Sequence, residues 1–200
     1  MAVDIKDQKL LYHLTDLDNL PSIFQRGLQP RSALLRDGFK DIADAEILEG
    51  RSKQQLDDYV PFHFFAGNPF DGRVQKDHPD GRFVLITVRR DIAKANNWKI
   101  IPTHPLSGSH KILEYDEGFS AIDWTLVNTR DYKNDNCKHV CMAECLSEEV
   151  VLPERFFSIY VKTFRDWIDV LKLKQKYQVS CYLNHNAKMF LRAADDIHQP

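Results

Sequence analysis

Two hundred residues, 43% hydrophobic and 28% charged, describe one globular domain (1–200) with room for a sizeable core. A formal net charge of −2 excludes a wholesale basic nucleic-acid binder but leaves room for a local basic cleft. Met1-Ala2-Val3-Asp4-Ile5-Lys6 has neither the basic start nor the apolar core of a signal peptide. No apolar run reaches membrane-spanning length, so a cytoplasmic protein without membrane contact is expected.

In chain order, residues 10–14 read as a short strand containing His13. Asp16, Asp18 and Asn19 then offer helix caps, and Pro21 suits a first helical turn. Leu20, Ile23, Phe24 and Leu28 form one apolar stripe, and Gly27 and Pro30 stop the helix. A histidine at a strand end facing a helix start is a good place to grip a polar ligand. Residues 31–58 are polar, with turns at Asp37-Gly38 and Glu49-Gly50 and a short helix expected at 43–48, just before Arg51.

Residues 59–66 read as a strand, and 68–72 as a turn-rich loop. Arg73, Lys76, His78 and Arg82 follow between turns; they form either a basic lip or a solvated loop. Residues 83–88 are the clearest buried strand, 89–97 a short helix, and 99–102 a strand-like edge. The 103–115 loop carries His104, Ser107, Ser109 and His110. No G-x-S-x-G elbow accompanies them, so loop composition explains these residues. Residues 122–127 read as a strand or short helix, and 128–137 as a polar loop.

Residues 138–146 are expected to be a strand with apolar residues on both faces. Cys137, Cys141 and Cys145 recur every fourth residue with His139 among them. On a strand this spacing spreads three thiols over about 13 Å, too far for one tetrahedral ion, so buried free thiols are expected rather than a metal site. Residues 156–161 read as a strand, and 163–176 as an amphipathic helix with Phe164, Trp167, Ile168 and Leu171 inward. A last helix is expected at 182–194. Together these give an α+β domain with a two-layer, mostly antiparallel sheet and flanking helices.

Glu144 is the oddest residue, since a carboxylate among apolar neighbours costs several kcal/mol unless it is paired, hydrogen-bonded or opens onto a cleft. The alternative is a glutamate pointing to solvent from an edge strand. Taken singly, Arg51 reads as a surface arginine, Tyr59 and Phe62 as core, and His13 as a satisfied strand histidine.

Jointly they carry a resemblance. Tyr12-His13-Leu14-Thr15-Asp16-Leu17-Asp18-Asn19-Leu20-Pro21-Ser22-Ile23, Asp41-Ile42-Ala43, Asp58-Tyr59-Val60-Pro61-Phe62-His63-Phe64 and Met142-Ala143-Glu144-Cys145-Leu146 resemble the DarT toxins. These are DNA-base ADP-ribosyltransferases of bacterial toxin–antitoxin pairs. The resemblance covers about residues 10–165 and implies an ADP-ribosyltransferase-like fold that uses NAD+ as a substrate and needs no metal. It implies that His13 and Thr15 hold the nicotinamide half, with Asn19, Leu20 and Tyr59 lining the NAD+ pocket. Arg51 would lie near NAD+ and the target base, and Glu144 would be the catalytic glutamate at the nicotinamide ribose. Single-stranded DNA is the implied substrate, with Arg73, Lys76, Arg82, Arg130, Lys133, Lys138 and His139 as candidate DNA contacts. A toxin that blocks DNA replication is implied, working as a monomer. A separate antitoxin of macrodomain or NADAR type would remove ADP-ribose from the DNA.

Residues 65–73, Phe-Ala-Gly-Asn-Pro-Phe-Asp-Gly-Arg, depart from the Arg-Ser-Pro-Met-like turn of thymine-modifying members. This tilts the expected target toward guanine. The competing readings are an RNA-directed transferase of the same fold and a non-catalytic NAD- or nucleic-acid-binding module.

Overall fold

The computed structural model describes residues 3–34, 40–42, 45–107 and 111–191. The expected turn at Asp37-Gly38, the loop residues Ser109 and His110, and positions 192–194 of the expected last helix lie outside the described residues. In chain order the elements are β1 (Leu10–Asp16), α1 (Leu20–Arg26), α2 (Arg31–Leu34), α3 (Ala45–Lys53), β2 (Val60–His63), α4 (Pro69–Asp77), β3 (Phe83–Arg89) and α5 (Arg90–Ala95). Then follow β4 (Lys99–Ile101), α6 (Tyr115–Ala121), α7 (Trp124–Thr129), α8 (Asp135–Val140), β5 (Glu144–Ser147), β6 (Ser158–Val161), α9 (Phe164–Tyr177) and β7 (Tyr182–His185). The strands form one sheet in the order β4-β5-β2-β1-β3-β6-β7. Every pairing is antiparallel except β6 with β7.

Strand alternation sends side chains to two faces. Leu11, Val84, Ile86, Val88, Phe62, Ile100 and Cys145 enter the main core, which α1, α7 and α9 also fill. Leu14, Phe83 and Leu85 point the other way and pack with Val74 of α4 and Phe190. A third, small cluster of Leu56, Ile101 and Leu146 sits under Tyr59. Each fully buried aliphatic or aromatic side chain contributes roughly 1.5–3 kcal/mol.

The entry to α1 follows the sequence logic with one change. Asp16 caps a 3-10 turn at Leu17–Asn19 by accepting the Asp18 N–H at 2.9 Å. Asn19 caps nothing; its amide donates to Thr15 Oγ1 at 3.1 Å and to the Lys40 carbonyl at 2.9 Å. Gly27 ends α1 at φ +81°. A Cβ there would meet Val150 Cγ1 at 2.7 Å and the Val151 carbonyl oxygen at 2.8 Å, because Leu28 bridges to Val151. Both the conformation and the close approach require glycine.

Several expected elements are corrected. The loop expected at 68–82 contains α4, because Asn68 accepts the Asp71 N–H at 3.0 Å and Pro69 starts the helix. The strand expected at 138–146 splits: Asn134 caps α8 by accepting from Asn136 N and Cys137 N, and the strand begins only at Glu144. Cys137 and Cys141 therefore meet at 4.0 Å between sulfurs instead of spreading along a strand. Of the helix expected at 43–48, residues 43 and 44 lie outside the described residues; from Ala45 it is helical and continues through Arg51 to Lys53. Residues 122–127 resolve as α7, with Asp123 accepting the Leu126 N–H.

The last helix is replaced by β7 and a 3-10 turn at Ala187–Met189, because β6 offers a free edge that 182–185 pairs with in register. α9 is present and Trp167 packs on the core as expected, but the inward stripe continues through Val170 and Leu173 instead of Leu171. Phe164 and Ile168 are exposed, Phe164 at 61%. Among the described residues no helix is long and apolar enough to cross a membrane, and no three His, Cys, Asp or Glu side chains gather as metal ligands. All four cysteines are buried.

Candidate active site

The site opens where the sheet is weakest. β1 pairs with β3 through seven registers but with β2 only through Tyr12↔His63. Beyond that pair a side chain replaces the ladder: His13 Nδ1 donates to the Pro61 carbonyl at 2.8 Å. Farther back, Arg90 staples the two strands. It donates to the carbonyls of Leu10 (3.1 Å), Ile5 (3.0 Å), Lys6 (2.9 Å) and Phe64 (2.7 Å). Its guanidinium lies 5.2 Å from the Phe64 ring centroid and 5.7 Å from that of Trp124. Burial pulls its pKa down to about 10, still charged at neutral pH.

A cleft opens beside this gap, its walls built from β1, β2, β5, α3 and the 103–107 loop. His13, Thr15, Arg51, Tyr59, His63, His104 and Glu144 bring polar groups into a lining that also holds Leu14, Ile23, Phe70 and Met142. Glu144 starts β5 in register with His63 on one side and Ile101 on the other. Only 5% of it is exposed. Arg51, on the last turn of α3, places Nη1 2.8 Å from Glu144 Oε1 and 2.9 Å from Oε2. Residues 93 positions apart thus form one buried ion pair. The second terminal nitrogen of Arg51, Nη2, is buried without a hydrogen-bond partner among the described residues. A buried, unsatisfied donor beside a cleft is a group waiting for an acceptor.

The backbone fixes two cleft histidines in opposite senses. A carbonyl only accepts, so Nδ1 of His13 carries the proton and Nε2 is left as an acceptor. Burial lowers its pKa to about 4, so the ring is neutral at pH 7. His104 is reversed, with Nδ1 accepting the Leu106 N–H at 2.9 Å. A neutral His104 therefore carries its proton on Nε2. Burial, then the neighbouring His139 charge, lowers its pKa as well. Thr15 accepts from Asn19, which leaves its own hydroxyl proton to donate.

Of the residues expected at the cofactor, His13, Thr15, Arg51, Tyr59 and Glu144 converge on this cleft. Asn19 and Leu20 stand behind it. Asn19 clamps Lys40 by also accepting its N–H at 3.0 Å, and Leu20 is fully buried in the core. The candidate DNA contacts lie outside the cleft lining. Arg130, Lys133, Lys138 and His139 are exposed on 128–139. That segment docks on 65–68 through Arg130 over the Phe65 ring at 5.0 Å and Tyr132 Oη donating to the Gly67 carbonyl at 3.1 Å. His139 reaches the cleft rim through His104, ring centroids 5.7 Å apart.

Arg73 and Lys76 are exposed on α4, and Arg73 pairs with Asp77. Arg82 ties β3 to α9 through Asp166 at 2.7 Å and Asp169 at 2.6 Å. Sequence reasoning missed His63, His104 and Met142 as cleft residues. The signal for His63 is its place in the strand read at 59–66; its register beside Glu144 is tertiary information.

The sheet, parted over a buried Arg–Glu pair, is an ADP-ribosyltransferase fold. It is similar to the structure of Thermus sp. 2.9 DarT in complex with ADP-ribosylated ssDNA (TM-score 0.79, 18% identity, covering 92% of this chain and 96% of that one). The NAD+ complex of the same protein gives a TM-score of 0.75 at 16% identity, covering 92% and 98%. Thermosipho africanus DarTG in complex with ADP-ribose gives 0.73 at 22% identity, covering 92% and 51%. A curated relative is the DNA ADP-ribosyl transferase–DNA ADP-ribosyl glycohydrolase fusion protein of Thermosipho africanus (strain H17ap60334), 27% identical over 163 residues. The match takes in 76% of this chain and 42% of that relative's length. The family model described as ssDNA thymidine ADP-ribosyltransferase, DarT, matches residues 12–191. The chain belongs to the DarT family.

Proposed function

We propose that the chain transfers ADP-ribose from NAD+ to a nucleobase of single-stranded DNA and acts as the toxin of a toxin–antitoxin pair. The observation that carries this reading is the buried Arg51–Glu144 pair inside a largely apolar cleft. Cleaving the C1′–N bond of NAD+ sends the bonding electrons to the nicotinamide, which leaves neutral, and charge develops on the ribose. A fixed carboxylate beside that ribose stabilises the transition state more than the ground state. The lone pair of a base nitrogen forms the new bond to C1′, and that nitrogen's proton passes to solvent. Nitrogen is a modest nucleophile here, so positioning supplies much of the rate.

Each side chain fits one part of this task. Glu144 serves the ribose. His13, as an acceptor, and Thr15, as a donor, suit the carboxamide and hydroxyls of the nicotinamide half. Tyr59 flanks the cleft, and Asn19 and Leu20 hold the wall behind it. Arg51 has Nη2 to offer to an anionic or carbonyl oxygen. The exposed cations at 130–139, with Arg73 and Lys76, form the path for the DNA backbone; Arg82 belongs to that path only through the part of its guanidinium that its two aspartates leave exposed. The transferase would be opposed by an antitoxin that removes ADP-ribose from DNA, consistent with the transferase–glycohydrolase fusion of the curated relative.

The family description names thymidine, which makes thymine the first target. Guanine is the second reading, favoured by the divergent 65–73 segment. Mass spectrometry of nucleosides from NAD+-treated single-stranded oligonucleotides tests both. An ADP-ribose adduct on thymidine or guanosine is expected, and Glu144→Gln should lower its yield by at least about 100-fold. A folded protein that modifies RNA oligonucleotides and no DNA would replace the proposal with the RNA-directed reading. NAD+ binding without nicotinamide release would replace it with a binding module.

A further inference from the structure

The transferase reading leaves open how the cleft chooses its acceptor. Under that reading Glu144, His13 and Thr15 serve the cofactor, and Arg51 lies between the cofactor and the target base. His104 lines the same cleft but comes from the 103–107 loop, next to the polar 128–139 segment, and touches His139 across 5.7 Å. Through His139 it stands at the rim where the cleft meets the exposed 128–139 segment. Its tautomer is not free: the Leu106 N–H points at Nδ1 from 2.9 Å. The one proton of the neutral ring must sit on Nε2, which has no hydrogen-bond partner among the described residues. Protonating Nδ1 would set two N–H groups against each other, and burial opposes that charge too. The 103–107 side of the cleft thus carries a ring whose one N–H donor is fixed on Nε2.

A fixed donor reads bases by a simple rule. On the same edge, thymine and guanine carry carbonyl oxygens, O4 and O6, whereas cytosine and adenine carry N–H donors, N4 and N6. We propose that His104 is the specificity-determining residue that selects a keto base, its Nε2–H donating to thymine O4 or guanine O6 and facing a second donor in cytosine or adenine. The assignment rests on the DNA-transferase reading. It explains why the histidine is locked by its own loop: a rotating or protonating imidazole would lose the distinction.

Two substitutions separate the ring's two nitrogens. The Oδ1 of asparagine stands where Nδ1 stands, so His104→Asn keeps an acceptor for the Leu106 N–H but withdraws the donor from the Nε2 position, since its Nδ2 ends where the ring's Cδ2 stood. The amide of glutamine reaches Nε2, so His104→Gln restores a donor. The full chain is incubated with NAD+ and single-stranded oligonucleotides carrying each base in turn, and transfer is followed by nucleoside mass spectrometry. The same assay is run with a target base whose carbonyl oxygen is replaced by sulfur, a weak acceptor. NAD+ binding is measured in parallel by calorimetry.

Wild-type protein is expected to favour the keto base over both amino bases, and the oxygen over the sulfur analogue by about 10-fold. His104→Asn should lose roughly 2- to 12-fold in transfer, the span of one neutral hydrogen bond. It should no longer distinguish oxygen from sulfur, while its NAD+ affinity stays within about twofold. His104→Gln should recover part of the rate and of the oxygen preference. The assignment is overturned if His104→Asn keeps the wild-type rate, or keeps the wild-type oxygen-over-sulfur ratio at any rate. A parallel loss of NAD+ affinity overturns it too, by placing His104 on the cofactor side. Wild-type protein that modifies no DNA at all overturns the transferase reading itself, an outcome visible before any variant is compared.

Discussion

Removing one member of the Arg51–Glu144 pair should cost more than removing both. The two side chains are only 12% and 7% exposed, so water screens them poorly. At about 4 Å between charge centres and an effective dielectric near 20, their attraction is about 4 kcal/mol. Desolvating both ions offsets most of that gain, so the intact pair adds little net stability. Arg51→Met leaves the Glu144 carboxylate buried with neither of its two hydrogen bonds, which should cost about 3–5 kcal/mol. The double variant Arg51→Met, Glu144→Leu removes the orphan and should cost less than about 2 kcal/mol. Urea unfolding followed by far-UV circular dichroism at pH 7 and physiological salt measures four proteins: wild type, Arg51→Met, Glu144→Leu, which orphans the buried guanidinium instead, and the double variant. The expected result is a double-mutant coupling of at least about 2 kcal/mol favouring the paired state. A single variant that loses under about 1 kcal/mol, or a double variant as unstable as the sum of the singles, would refute a pair that is buried and energetically coupled.

Two further outcomes follow from groups away from the pair. Asp71 is buried, accepts the Gly67 N–H at 2.9 Å and has its pKa raised to about 6 by burial, against the opposing charge of His63. A raised carboxyl pKa means stability present below about pH 3.8 and lost as pH climbs through about 6. Asp71→Asn can keep the Gly67 bond without the charge. Its stability advantage over wild type should grow between pH 4 and 6 to about 3 kcal/mol and then level off, and a flat difference across a pH series of urea melts would count against this. Arg90→Lys replaces a fork serving four carbonyls with a point donor, at a cost of about 3 kcal/mol. Thermal melts should fall by roughly 6–12 °C, and a shift below about 2 °C would mean the staple is dispensable.

The strands carried by runs of β-branched and aromatic residues were legible, as β1, β2 and β3 attest. So was α1, whose stripe, proline and glycine agree with one another. Elements whose decisive residue sits just outside them were not. α4 and α8 depend on Asn68 and Asn134 as caps, and in each case a polar loop composition concealed a short helix. β7 is a strand only because β6 leaves an edge to pair with, which is tertiary information.

For the site, the oddity of Glu144 among apolar neighbours was visible, but not its partner. Arg51 reads as a surface residue until folding carries α3 over β5. The tautomers of His13 and His104 were out of reach, because each is set by one backbone group, Pro61 O and Leu106 N–H.

The single register between β1 and β2 has a mechanical consequence. The sheet is two rafts, β4-β5-β2 and β1-β3-β6-β7, lashed at one end by Arg90 and joined elsewhere by one rung and one histidine. His13 and Thr15 ride on one raft, and His63 and Glu144 on the other. A molecule lying across the cleft takes hold of both and acts as the missing rungs. Amide hydrogens along the seam should exchange faster than those between β1 and β3, and slow when the cleft is filled. Affinity and rigidity are then two measures of the same closure.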